Sequence, residues 1–90
     1  MIIVAGWIEV AAARRDEFVQ RSTQAVRAAR STTGCLDFAV SADPVRDDRV
    51  NVYERWADAE ALEAFRGDGP ADDLDAAVRA YHVEEYRLEG

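Results

Sequence analysis

Nine residues near the start of the chain, IIVAGWIEV at positions 2–10, leave the fold the least freedom. They are β-branched and aromatic, and they alternate as a strand does. Ile2, Val4, Gly6, Ile8 and Val10 take one side, and Ile3, Ala5, Trp7 and Glu9 take the other. Both sides are mostly apolar, so the strand must be covered twice. Helices of the same chain can cover one face; a second subunit is a natural cover for the other. The apolar start is too short and too interrupted, by Glu9, to cross a bilayer, and it lacks the basic residues that open a secretory leader. The expectation is a cytoplasmic protein.

Further along, the pattern alternates between helix and strand. Residues 14–32 predict a helix with Phe18, Ser22, Ala25, Val26 and Ala29 on its inner face. Asp16 and Glu17 stand at its start, Arg27 and Arg30 near its end, and Gly34 stops it. Residues 35–43 set Leu36, Phe38 and Val40 against Cys35, Asp37, Ala39 and Ser41. Residues 49–56 set Val50, Val52, Glu54 and Trp56 against Asn51, Tyr53 and Arg55. With DPVRDD between them, these two runs predict a hairpin. Asp58 caps a short helix over 59–66 with Leu62 and Phe65 inward, and GDGP breaks it. Pro70 opens a further helix with Leu74, Ala77, Val78 and Tyr81 on its apolar face, and 82–89 alternates as a last strand. The order β-α-β-β-α-(α)-β predicts a single α+β domain over 1–90: a ferredoxin-like βαββαβ fold with an antiparallel four-stranded sheet and helices on one face.

Composition removes several functions. Eighteen acidic residues face eleven basic ones, all arginine, giving a net charge of −7. Such a chain is a poor partner for phosphate backbones or anionic lipid, so neither nucleic acid nor membrane is expected. One cysteine and one histidine make neither a disulfide framework nor a zinc site of the usual kind. Phosphate-binding glycine loops, a nucleophile elbow, H-E-x-x-H and calcium-loop patterns are all missing. Asp72, Asp73 and Asp75 fit a solvated, dipole-favoured helix start. Left over are aromatic and polar side chains able to line a pocket: Trp7, Asn51, Tyr53, Arg55, Trp56, Phe65, Tyr81, His82 and Tyr86. Trp7, Trp56 and Phe65 also suit a core, Asn51 and Tyr53 a subunit contact, and Cys35 a small buried group. Histidine is the side chain type that ordinarily changes charge near neutrality, so His82 is the candidate base.

Several segments resemble the antibiotic biosynthesis monooxygenase (ABM) domain family. Gly34-Cys35-Leu36 followed by Phe38 is similar to its G-C-L-x-Y/F strand start. Tyr53-Glu54-Arg55-Trp56 with Asp58 and Ala61-Leu62 is similar to its Y-E-R-W-x-D-x-x-A-L segment. Phe65-Arg66-Gly67-Asp68-Gly69-Pro70 resembles an F-R-G-S-G-P variant of its second helix, and Val4-Ala5-Gly6 and Glu85-Tyr86 also fit. The resemblance implies a homodimeric α+β barrel, two sheets face to face with helices outside. It implies, in one branch, oxidation of phenolic or anthrone-like substrates by O₂ with no cofactor. In that branch a Trp ends the third strand, and Trp56 matches it. The branch's Asn four residues earlier is Val52 here, with Asn51 adjacent; its Tyr six residues after the Trp is Leu62; its helical Arg falls near Ala76, with Arg79 one turn on. The haem-degrading branch is a poorer match, because 66–80 contains no His.

The functional expectation is a cofactor-independent monooxygenase of small aromatic, phenolic or quinol substrates. Trp56, Arg55 and His82 are its catalytic candidates, and Trp7, Asn51, Tyr53, Phe65, Arg79 and Tyr81 its substrate-binding ones. A non-catalytic binding or structural dimer, or a cofactor-free isomerase or cyclase, are the alternatives on the same fold.

Overall fold

The computed structural model describes residues 1–67 and 77–89. Four strands, β1 (Ile2–Val10), β2 (Cys35–Ala42), β3 (Arg49–Trp56) and β4 (Val78–Arg87), form one antiparallel sheet in the order β2-β3-β1-β4. A short 3-10 turn (Ala12–Arg14) leads into α1 (Arg15–Arg30), and α2 (Ala59–Gly67) follows β3. The order and pairing are those of the expected ferredoxin-like α+β fold.

One face of the sheet carries the core. Ile2, Val4, Ile8 and Val10 of β1 are at most 6% exposed, and Val50 and Trp56 of β3 are fully buried. Two clusters result. Ile8, Val10 and Val50 pack with Phe18 of α1. Ile2, Val4, Phe38 and Trp56 pack with Ala29 of α1 and Leu62 of α2. Each large apolar side chain buried this way contributes roughly 1.5–3 kcal/mol. Ser22 is the one buried polar residue of α1, and its hydroxyl donates to the Val19 carbonyl at 2.7 Å. Ala25, expected inside, is exposed, so the inner stripe of α1 is narrower than the sequence suggested.

Side-chain hydrogen bonds fix the helix ends to the sheet. Arg30 Nε donates to the Phe38 carbonyl at 2.8 Å, tying the end of α1 to β2. Arg15 donates to the carbonyls of Asp43 and Arg46, tying its start to the β2–β3 connection. Asp58 Oδ1 accepts from the Ala61 N–H at 2.8 Å, as a cap of α2 should.

Two strand irregularities correct the sequence reading. Between Cys35 and Asp37 the β2–β3 register shifts, so Cys35 opposes Trp56 while Asp37 opposes Arg55. The bulge absorbs Leu36, which is 48% exposed rather than aligned with Phe38. At the other edge, β4 begins at Val78, four residues before the predicted strand. Val78 opposes Val10 and Tyr81 opposes Ile8, across a second register shift. That bulge puts residues three apart on one face, which in sequence mimics a helical period. Val78 and Tyr81 are therefore strand residues, not the apolar stripe of a helix. The break at 68–70, the helix start at Pro70, Leu74 and the run Asp72, Asp73 and Asp75 lie outside the described residues. Among the described residues no helix is long and apolar enough to cross a membrane.

Two glycines are required by close approach. Gly6 has φ +150°, and a Cβ there would stand 2.0 Å from the His82 carbonyl oxygen of β4. Gly34 has φ +91°, and a Cβ there would stand 2.5 Å from Ala61 Cβ of α2. The first lets β1 and β4 pair closely; the second lets the α1–β2 turn pack under α2.

Candidate functional site

Neighbours on a strand point to opposite faces, and this divides the candidate residues into two groups. Trp56 and Phe65 lie on the helix side. Arg55, Asn51, Tyr53, Trp7 and His82 lie on the open side, as the cross-strand pairs Arg55–Ile3, Tyr53–Ala5, Asn51–Trp7 and Trp7–His82 show. Within one chain, Trp56 and Arg55 cannot act on the same molecule.

On the helix side, β3 delivers Trp56 beneath α2. Its ring centroid lies 5.3 Å from that of Phe65 and 6.4 Å from that of Phe38, and Phe38 and Phe65 meet at 5.7 Å. These are favourable aromatic separations, with edge contacts at two of the three. The indole N–H does not face solvent: it donates to Glu54 Oε1 at 3.0 Å. Glu54 stands two residues back on the same face, in a row with Phe38 of β2 and with Val4 and Glu85 of β1 and β4. Burial pushes the Glu54 carboxyl above its ordinary range, the Glu85 charge adds to this, and the indole N–H and the Arg66 guanidinium oppose it. Toward solvent, Arg66 of α2 donates to Glu85 Oε1 at 2.6 Å. Burial also pushes the neighbouring Cys35 thiol up, with Glu54 adding to the effect.

Glu54 and Arg66 were not among the candidates drawn from the sequence. The signal for Glu54 was present: an acid in a strand face otherwise given to Val50, Val52 and Trp56. A half-buried carboxyl beside an aromatic layer needs a reason. Arg66 sits in the last turn of α2, where a basic residue is ordinary, so its position alone carried no signal.

On the open side, Arg49 lies over Trp7 at 4.0 Å, and Trp7 stacks on His82 at 5.2 Å with 23° between the rings. His82 Nε2 is 3.9 Å from Glu9. Asn51 accepts from Arg49 Nε at 3.0 Å and donates to Asp43 at 2.8 Å. Asp43 also accepts the backbone N–H groups of Arg46 and Val45, and these bonds hold its carboxyl down at about 2. Tyr53 is half-buried between Ala5 and Ala39. Arg55 Nε is shut off from solvent and has no hydrogen-bond partner among the described residues. A shallow hollow of about 390 Å³ runs along β1 and β4, with Trp7, Tyr81, His82, Glu84 and Tyr86 among its walls. Arg79 is exposed near the start of β4, and Tyr81 is 67% exposed. The structure thus brings Trp7 and His82 together on the open face, with Tyr81, which pairs with Ile8, among the walls of the same hollow, and packs Trp56 of β3 against Phe65 of α2. Among the described residues no group of three His, Cys, Asp or Glu side chains is arranged to hold a metal ion.

Comparison with known proteins adds to this geometry. The profile of the family described as antibiotic biosynthesis monooxygenase matches residues 1–86. An uncharacterized protein of Synechocystis sp. is 31% identical over 62 residues, or 69% of this chain. The match takes in 42% of that protein, so the chain spans less than half the length of the curated relative it matches. Among solved structures, a conserved protein from Methanosarcina mazei Go1 superposes with a TM-score of 0.81 at 18% identity, covering 98% of this chain and 92% of that one. A candidate antibiotic biosynthesis monooxygenase from Deinococcus radiodurans gives 0.78 at 21% identity, covering 100% and 94%. The haem degrader MhuD from Mycobacterium tuberculosis gives 0.71 at 19% identity, covering 98% and 95%. At these identities the structures share the fold.

Proposed function

The chain belongs to the antibiotic biosynthesis monooxygenase family, and from that premise we propose that it oxidises small ionisable aromatic substrates, phenols, anthrones or quinols, with O₂ and no bound cofactor. The observation that carries this reading is the layer of Phe38, Trp56 and Phe65 where α2 meets the sheet, edged by Glu54 and the Arg66–Glu85 pair. Aromatic walls suit a planar ring, and a guanidinium at the rim suits the negative charge that appears when the ring ionises. An ionised phenol or anthrone is electron-rich enough to reduce O₂ itself. For a ring CH₂ the balance is CH₂ + O₂ → C=O + H₂O. The protein's part is to orient the ring, exclude water and hold the anion.

The open face is then assigned to a second copy of the chain. Leaving a buried N–H such as Arg55 Nε without an acceptor costs about 1–3 kcal/mol, and a facing sheet can supply one. Arg49, Trp7, Asn51, Tyr53 and His82 belong to the same contact on this reading, and the hollow along β1 and β4 receives side chains of the other subunit.

A second reading has its own support. Trp56 is fully buried and its N–H is already engaged by Glu54, which suits a non-catalytic binding dimer. Oxygen uptake by metal-chelated protein, against anthrones, naphthols and hydroquinones with an enzyme-free blank, separates the two. Uptake above the blank with stoichiometric quinone is expected. No uptake anywhere in the panel, alongside saturable binding of the same compounds, would favour the binding dimer. Turnover without O₂ would indicate an isomerase or cyclase instead.

A further inference from the structure

An acid has been placed where the strand pattern calls for an apolar residue, and the fold spends an indole N–H on it. Glu54 shares its face of β3 with Val50, Val52 and Trp56. Across the sheet its neighbours in the row are Phe38, Val4 and Glu85. A hydrogen bond from Trp56 Nε1, at 3.0 Å to Oε1, fixes the direction of the carboxyl. Trp56 is itself immobilised, fully buried and in contact with Phe38 and Phe65. The carboxyl thus lies beside the aromatic layer, on the side where Arg66 and Glu85 pair.

We propose that Glu54 is the catalytic base that takes the ionisable proton of the aromatic substrate, with Trp56 as the positioning residue that aims it. This rests on the reading of the site as an oxygenase of such substrates. In the first step the substrate O–H or acidic ring C–H bond breaks, its proton passes to the Glu54 carboxylate, and the electron pair stays on the ring. The ring carbon then bonds to O₂, two electrons moving from carbon to oxygen. The peroxide so formed takes the proton back from Glu54 and becomes a hydroperoxide. Loss of the second ring proton with cleavage of the O–O bond gives the carbonyl and water.

Among the described residues, the charged and titratable groups facing Glu54 are Arg66 from α2, Glu85 from β4 and Cys35 from β2; from β1 it meets Val4. Glu85 is paired with Arg66, and at Glu54 the two act in opposite directions, Glu85 raising and Arg66 lowering its carboxyl. Burial that raises a carboxyl brings its proton affinity closer to that of the substrate, which a general base requires.

The test uses Glu54→Gln, which keeps an oxygen for the Trp56 N–H, beside the full-length wild type. Oxygen uptake is followed from pH 5 to pH 10 on substrates graded in acidity. For weakly acidic substrates the variant should lose kcat by about 10²–10⁴-fold with KM little changed. The loss should shrink where the substrate is already ionised, at high pH or for the most acidic compounds. Wild-type kcat and an unchanged pH profile in the variant, or an equal loss at every substrate acidity, would overturn the role while leaving the oxygenase reading intact. A wild type inactive on the whole panel would overturn both.

An activity-free measurement keeps the proposal open to failure if Glu54→Gln does not fold. Infrared difference spectra of wild type binding a naphthol without O₂ should show the Glu54 carboxylate stretch shifting as it accepts a hydrogen bond from the naphthol hydroxyl. Glu54→Asp, one methylene shorter, should weaken that signal. Binding with no carboxyl change would overturn the assignment.

Discussion

Glu54 concentrates the conflict between folding and chemistry at this site. Its carboxyl is half-buried, and its pKa is raised chiefly by desolvation. A raised acid binds its proton more tightly in the folded chain than in the unfolded one. Its contribution to stability is therefore fully present below the ordinary value of 4.5 and is lost as pH rises through the folded value. Glu54→Gln removes this dependence while keeping an acceptor for the indole. Denaturant unfolding of both proteins at pH 4 and pH 7.5 should show the variant gaining relative to wild type at the higher pH, with the two close together at the lower. Equal differences at both pH values would mean that Glu54 titrates alike in the folded and unfolded chain. Trp56 is the reason a simple truncation would mislead here. Its replacement by alanine would cost about 3–5 kcal/mol from cavity and lost contacts alone. That loss would hide any effect on the carboxyl it holds.

Each element carried a different amount of its own structure in its sequence. The period-two runs at 2–10 and 49–56 matched β1 and β3 to the residue, because one face of each is buried and a one-residue slip would expose it. Asp58 and the helix after it were equally legible, since a capping carboxylate acts locally. What failed to show was set by partners distant in sequence. The bulge at Cys35–Asp37 turns Leu36 out, and the β1–β4 bulge places Val78 and Tyr81 on one face at a spacing of three. Both depend on the neighbouring strand. The site was half legible for the same reason. Trp56 and Phe65 were named from the sequence and pack together, and the alternation that set Trp56 against Arg55 already put those two on opposite faces, but the contact of Glu54 with the indole was not read from it. The α1–β2 turn offers a test at this scale, because Gly34 answers to α2. Gly34→Ala puts a Cβ 2.5 Å from Ala61 Cβ at a φ that alanine resists, and should destabilise by about 1–3 kcal/mol. In a double-mutant cycle with Ala61→Gly, thermal melts should recover the part due to the clash and not the part due to φ. Simple additivity would show that α2 does not pack on this turn.

For the molecule as a whole, the asymmetry of the sheet is the property that most needs a partner. The helix side of β1 buries four apolar residues, while its other side leaves Ile3, Ala5, Trp7 and Glu9 only partly covered. A chain of 90 residues has little core to spare, and a shared interface would add to it. The open face also has features that suit a symmetric contact. Arg49 and Trp7 are stacked, His82 lies on Trp7, and Arg55 Nε lacks an acceptor among the described residues. In a two-fold contact each of these occurs twice, so one substitution acts twice. If unfolding is coupled to dissociation, stability rises with protein concentration. A tenfold increase is worth about 1.4 kcal/mol per dimer, half of that per subunit, and should raise Tm by about 3–5 °C. Trp7→Glu places a charge in that contact, and removes both the cation–π partner of Arg49 and the stacking partner of His82. It should yield a monomer by light scattering whose Tm no longer moves with concentration. Trp7 lies across the sheet from the helix core, so the monomer should keep its far-ultraviolet circular dichroism. A wild-type Tm independent of concentration, with a monomer mass at micromolar protein, would remove the second copy from this face and leave Arg55 to find its acceptor in a ligand.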